Sequence, residues 1–246
     1  MSISIGPGIS IGGGINLGGY GPWPPGPNSS LQFSNGTGYV YITDSNRMSV
    51  TPGNQWTFEG FFYFSSFHNT DSYFGKWNNI SNEYIFWPVT GSTMGFRTYA
   101  SDGSTPQVDL AFNNPSTNAW HHIAFCKIAG TFYIYVDGVV VAQSAISGTT
   151  NYNSGTPFQL GAGGNFNVSN FRFAMTAVYP YGVTFTPPTG PLPATQSSAY
   201  PIGGIASNQI ELLLNTYTAT PLLDGSGYYG NVPVTGTITY STNAPF

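Results

Sequence analysis

The sequence predicts an all-β protein, two packed antiparallel sheets, preceded by an extended glycine-rich arm. Three observations carry that reading. From Leu31 onward the 246-residue chain runs as short aromatic and β-branched segments broken by Gly, Asn, Ser and Pro, the pattern of strands and turns. No apolar spacing of three and four persists over three turns, so no substantial helix is expected. Asp137-Gly138 lies between Thr131-Phe-Tyr-Ile-Tyr-Val136 and Val139-Val-Val, and Asp-Gly supplies the two positive-φ residues of a type I′ hairpin.

Taken in order, the chain opens with three copies of a six-residue unit, apolar-polar-apolar-Gly-x-Gly, in residues 1–18. Six is an even number, so an extended backbone keeps Ile3, Ile5, Ile9, Ile11, Ile15 and Leu17 on one side and Ser2, Ser4, Ser10 and Asn16 on the other. Six aliphatic side chains cannot offset the entropy of ordering so glycine-rich a segment. The arm is therefore expected to order only against another chain or its own body. Residues 19–30, Gly-Tyr-Gly-Pro-Trp-Pro-Pro-Gly-Pro-Asn-Ser-Ser, read as a stiff linker. Residues 31–246 form the sandwich, with strands expected at 31–33, 39–42, 56–64, 84–87, 94–99, 107–112, 121–128, 131–136, 139–144, 158–160, 168–178, 210–215 and 235–240. In 131–136, alternation puts Phe132, Ile134 and Val136 on a core face. Tyr133 and Tyr135 fall on a second, semi-exposed face, which binds something or packs against a neighbouring loop.

Composition narrows the function. Charged residues make up 6 % of the chain and the net charge is −4, against about 25 % charged in an ordinary domain. The aromatics argue against disorder. Arg47, Lys76, Arg97, Lys127 and Arg172 are scattered singly, so no patch can release several counterions from a phosphate backbone, and nucleic acid is a poor partner. No apolar span of about twenty residues and no basic leader occurs, so neither a membrane helix nor a signal peptide is expected. The one cysteine, Cys126, sits in Ile123-Ala-Phe-Cys-Lys and reads as a buried strand thiol made in a reducing cytoplasm.

Several segments in this order resemble the laminin-G-like, concanavalin-A-like jelly-roll superfamily. They are Leu31-Gln-Phe-Ser-Asn-Gly-Thr-Gly-Tyr-Val-Tyr-Ile, Trp56-Thr-Phe-Glu-Gly-Phe-Phe-Tyr-Phe, Ala119-Trp-His-His-Ile-Ala-Phe, Phe132-Tyr-Ile-Tyr-Val-Asp-Gly, and Gln159-Leu-Gly-Ala-Gly with Val168-Ser-Asn-Phe-Arg-Phe. The continuation Ala177-Val-Tyr-Pro-Tyr, Phe185-Thr-Pro-Pro-Thr-Gly-Pro-Leu, Glu211-Leu-Leu-Leu and Leu223-Asp-Gly-Ser-Gly resembles the members found in tailed-phage structural proteins. The resemblance implies a jelly-roll sandwich and a non-enzymatic virion structural role, a capsid decoration or short fibre made in the host cytoplasm and displayed on the virion surface. Its partners would be capsid or tail subunits and sister copies, a homotrimer being favoured. The arm would add a strand to a neighbour's sheet or wind with sister arms. The alternative is an adhesin that binds a host surface polysaccharide, with Trp77, Asn78, Asn79 and Trp87 as the glycan-binding residues.

Catalytic chemistry is not expected. Glycanases of this superfamily cluster carboxylates on one strand, because retaining hydrolysis needs two about 5 Å apart. Here no two acidic residues are closer in sequence than Asp102 and Asp109. His121 and His122 read as core or strand-edge residues rather than bases. No cofactor is expected. The candidates for a calcium ion at a loop rim are Asp102 in Ser-Asp-Gly-Ser and Asp224 in Asp-Gly-Ser-Gly, but both are ordinary turn sequences, so no metal site is assigned.

Overall fold

The computed structural model of the protein describes residues 29–34, 36–43, 47–50, 53–67, 72–78, 83–100, 102, 104–146, 155–215 and 222–246. The arm residues Ile3, Ile5, Ile9, Ile11, Ile15 and Leu17 lie outside them, as does Asn79. The strands are β1 Ser30–Phe33, β2 Gly38–Ile42, β3 Trp56–Phe64, β4 Phe74–Lys76, β5 Tyr84–Thr90, β6 Thr93–Tyr99, β7 Pro106–Asn113, β8 Trp120–Ile128 and β9 Thr131–Val136. They continue with β10 Val139–Ala145, β11 Phe158–Leu160, β12 Phe166–Ala174, β13 Ile210–Leu214, β14 Leu222–Leu223, β15 Asn231–Val232, β16 Val234–Gly236 and β17 Thr239–Ser241.

Two antiparallel sheets face each other, as the sequence predicts. One runs β10-β9-β8-β3-β12-β1-β17, with β13 also paired to β12; the other runs β16-β2-β11-β4-β5-β6-β7. Between them lies an aromatic core in which Phe58 stacks on Phe173 with ring centroids 4.1 Å apart, and Phe74, Phe86, Phe96 and Phe125 interlock. The Asp137-Gly138 hairpin forms with φ of 50° and 79°. A Cβ at Gly138 would meet the Phe185 carbonyl oxygen at 1.9 Å, so glycine is required there by both conformation and space.

Several element boundaries differ from the sequence reading. Ser29 and Ser30, assigned to the linker, belong to the sandwich: Ser169 Oγ donates to the Ser29 carbonyl (2.9 Å) and Asn167 Nδ2 to Ser30 Oγ (3.1 Å). The run 168–178 stops as a strand at Ala174. The run 235–240 is two short strands, β16 and β17. Strands β4, β14 and β15 have only two or three residues, too few for alternation to register.

The second face of β9 packs against a neighbouring segment, one of the two outcomes expected of it: Tyr133 is half-buried, and only Tyr135 departs from a semi-exposed position. Tyr135 is fully buried with Ala124, Cys126, Val178, Tyr179, Phe185 and Leu192 in a second apolar cluster, formed where the segment 175–206 straps the outer face of the eight-stranded sheet. Tyr179 stacks on Phe185 at 4.0 Å, and Tyr135 Oη donates to the Tyr179 carbonyl. The C-terminal residues extend this cover: Phe246 meets Phe61 edge-on at 5.1 Å, and Trp120 Nε1 donates to Asn243 Oδ1. One sheet thus has a roofed outer face. On the other sheet's outer face the described residues form no comparable apolar cluster.

Candidate functional site

Three polar constellations stand out: two hold parts of the fold together, and the third is open to solvent on a sheet face. The first joins Ser116, His121 and Asp137. His121 Nδ1 is 2.7 Å from Asp137 Oδ2, and Nε2 is 3.0 Å from Ser116 Oγ. These distances match a hydrolytic triad, but the proton placement does not. Nε2 is also 3.0 Å from the Ser116 carbonyl oxygen, which can only accept, so the ring donates from both nitrogens. The hydrogen bond to Asp137 raises the His121 pKa. Asp137 Oδ1 also accepts from the His122 backbone N–H at 2.9 Å. The trio clips the β9–β10 hairpin to the loop before β8.

The second constellation lies under the strap. Glu59 Oε1 accepts from Arg172 Nε (2.9 Å) and Nη2 (2.6 Å), and Oε2 accepts from Tyr179 Oη (2.7 Å) and His122 Nε2 (3.1 Å). Arg172 also donates to the Pro193 carbonyl (2.6 Å) and Gln196 Oε1 (3.1 Å). A bulge makes this possible. The β12–β3 register shifts between Ser169 and Arg172, with Asn170 at φ 54°, which turns Arg172 outward and Phe171 inward. Burial alone would raise the Glu59 pKa; the Arg172 charge and the His122 hydrogen bond outweigh it and hold the carboxylate at about 2. With both oxygens doubly engaged, Glu59 fastens the strap. Burial pushes the neighbouring Cys126 thiol up to about 11, the inert strand thiol that the sequence predicts.

The third lies on the outer face of the seven-stranded sheet. The pairings Tyr41↔Gln159, Gln159↔Gly75, Gly75↔Ile85, Ile85↔Arg97 and Arg97↔Asp109 place those six residues in one row across β2, β11, β4, β5, β6 and β7. At one end Arg97 Nη2 donates to Asp109 Oδ2 at 2.6 Å. The guanidinium lies 4.9 Å from the Trp87 ring centre and 5.8 Å from that of Tyr99. Trp87 leans over Gly95, where a Cβ would come within 3.0 Å of the indole. The result is an aromatic plane beside a guanidinium that is held flat, with side chains of Arg97 and Asp109 exposed by 30 % and 47 %.

Of the glycan-binding residues named from sequence, Trp87 lies two residues beyond Ile85 on one side of the row, and Trp77 and Asn78 lie on the other side, Trp77 two residues beyond Gly75. They follow β4 at the level of Glu83, four residue positions from Trp87 along the sheet, roughly 13 Å at 3.3 Å per residue. Lys76 of the same motif points into the molecule, paired with Glu83 at 2.6 Å with both side chains fully buried. Asp102 and Asp224 close turns. Asp102 accepts from the Ser104 and Thr105 N–H groups and the Thr105 hydroxyl, which holds its pKa at about 2. Asp224 accepts from the Leu213, Ser226 and Tyr229 N–H groups. Among the described residues no three His, Cys, Asp or Glu side chains cluster as metal donors.

A family profile described as the concanavalin A-like lectin/glucanases superfamily matches residues 34–189. The chain belongs to that superfamily. A solved structure, that of a candidate carbohydrate binding protein from Bacteroides ovatus, matches with a TM-score of 0.58 at 16 % identity over 87 % of this chain. The match spans 59 % of the Bacteroides protein's length. The heptameric SAP-like pentraxin of Limulus polyphemus matches with a TM-score of 0.50 at 10 % identity, over 87 % of this chain and 94 % of its own. At these identities the likeness is one of fold. No curated protein matches the chain in sequence. The superfamily's fold is of the lectin and binding type, and this member carries its polar aromatic surface on the sheet face that the strap leaves uncovered.

Proposed function

We propose that this protein is a non-enzymatic glycan-binding module and that it holds sugar against the outer face of the seven-stranded sheet, at Trp87, Arg97 and Asp109. The observation that carries the reading is the Trp87–Arg97–Asp109 arrangement. A pyranose offers an apolar C–H face and a rim of hydroxyls; the indole suits the first, and fixed planar donors beside a carboxylate suit the second. The Bacteroides protein's description supports the same class of ligand. Display of the module on a virion surface, attached through residues 1–18, rests on the hexad repeat and the order of motifs in the sequence.

The test is a glycan array probed with the full chain, followed by titration of the best ligand. Saturable binding is expected, reduced at least ten-fold by Trp87→Ala and by Arg97→Ala. Silence across the array, or wild-type binding by Trp87→Ala, overturns the proposal.

A further inference from the structure

The transverse row does not end at Ile85. Beyond it lie Gly75, Gln159 and Tyr41, and Tyr39 shares the face with Tyr41, their rings edge-to-face at 6.1 Å. Gln159 sits three strands from Arg97, roughly 14 Å, and the row from Tyr41 to Asp109 crosses five strand spacings, roughly 24 Å at 4.8 Å each. Its profile is low in the middle and high at both ends. Gly75 has no side chain, and a Cβ there would strike the Tyr84 carbonyl oxygen at 2.5 Å, so this position stays empty. Ile85 beside it is 6 % exposed. Gln159 and Tyr41 on one flank, and Trp87, Arg97 and Asp109 on the other, are exposed or half-buried. No described residue hydrogen-bonds the Gln159 amide or the Tyr41 hydroxyl.

From this register we infer a second binding subsite at Tyr39, Tyr41 and Gln159, so that the ligand is a linear, neutral saccharide chain lying across the strands rather than a single terminal sugar. It rests on the glycan reading of Trp87. Two aromatic-and-polar clusters separated by a low stretch, Gly75 and the buried Ile85, suit a ligand that repeats its own apolar faces and hydroxyl rims along one axis. A carboxamide and a phenol hydroxyl each donate and accept, which matches sugar hydroxyls and acetamido groups. Charge favours the neutral class: the row's charged pair, Arg97 and Asp109, is mutually neutralised, and the chain as a whole is at −4, so a polyanionic chain gains nothing at Tyr41 and Gln159 and is repelled at long range. Joining two subsites raises affinity through effective concentration only when the ligand reaches both.

The experiment titrates the full chain with two ladders from disaccharide to hexasaccharide, neutral glucose oligomers and N-acetylglucosamine oligomers, against wild type, Gln159→Ala, Tyr41→Phe and Trp87→Ala. In one ladder affinity should climb at least ten-fold between the disaccharide and the longest member. Gln159→Ala and Tyr41→Phe should remove most of that climb yet leave disaccharide affinity unchanged, while Trp87→Ala weakens every length. Thermal melts confirm that each variant is folded; Tyr41→Phe keeps the ring and changes only the hydroxyl. Length-independent binding that still needs Trp87 overturns the second subsite and leaves the glycan module standing. So does a climb untouched by the Gln159 and Tyr41 variants. Absence of binding at every length in both ladders, together with a silent array, overturns both readings.

Discussion

Replacing Arg172 by Met tests whether the strap is held by charge or by packing alone. Met fills much of the arginine stem's volume but leaves Glu59 buried with only Tyr179 and His122 as donors, and it strands the Pro193 carbonyl and the Gln196 amide. Breaking a buried pair from one side costs about 3–5 kcal/mol, because the surviving charge has neither water nor partner. For a chain of this size each kcal/mol lowers Tm by about 2–4 °C, so the midpoint should drop by about 6–20 °C. Urea unfolding at neutral pH, read by tryptophan fluorescence, gives the free energy directly. The double variant Glu59→Gln/Arg172→Met removes the orphaned charge, so it should be less destabilised than the sum of the singles by about 1–3 kcal/mol. The sign with pH follows. Glu59 is held below its ordinary range, so its contribution is present above about pH 4 and is lost as pH falls through the folded value of about 2. Arg172→Met should bring acid unfolding to higher pH. A single variant costing under about 1 kcal/mol, or strict additivity of the pair, refutes the argument that the carboxylate depends on the guanidinium.

Two other consequences are open to simple measurement. The His121 pKa is raised by its hydrogen bond to Asp137, so its contribution is complete below the unfolded value near 6.5 and is lost as pH rises through the folded value; wild-type stability should fall across that window and His121→Gln should flatten the fall, and an unchanged slope in the variant would remove the clip. Cys126 is buried with its thiol pushed up to about 11, so iodoacetamide at pH 8 should label it only after unfolding; stoichiometric alkylation of the native chain would contradict its placement.

What was legible in the sequence was local. Asp137-Gly138 carries its own turn chemistry, and the long strands β3, β8, β9 and β12 show their period over six to nine residues. Trp87 could be singled out only as the tryptophan of an aromatic run, Glu83-Tyr-Ile-Phe-Trp87. The rest depends on pairings between distant segments. Glu59 and Arg172 are 113 residues apart, and their meeting requires the bulge at Asn170. The sign of that bulge was present in Val168-Ser-Asn-Phe171-Arg-Phe173, where the apolar spacing changes from two to three and back. The transverse row of the seven-stranded sheet was hidden for a related reason: its order passes through β4 and β11, three residues each, and nothing local says that Gln159 lies between Tyr41 and Gly75. The semi-exposed face expected for Tyr133 and Tyr135 depended on what the 175–206 segment covers, which alternation does not encode.

Two ion pairs that point outward from the sheets, Glu59–Arg172 and Arg97–Asp109, differ in burial, and that difference bears on the proposed function. Glu59–Arg172 is sealed beneath the strap, where removal of one partner damages the fold. Arg97–Asp109 has the same 2.6 Å contact, but its side chains are partly in solvent, where such pairs contribute about 0–1 kcal/mol. Stability therefore gives little reason for a guanidinium to lie over Trp87 on the uncovered sheet. The cation–π contact and the carboxylate together fix its plane and leave its remaining N–H groups oriented before any ligand arrives, so less side-chain entropy is lost on binding. Because the pair is nearly neutral in the fold, Arg97→Ala should stay folded, and any affinity it loses is read as lost ligand contact rather than as unfolding.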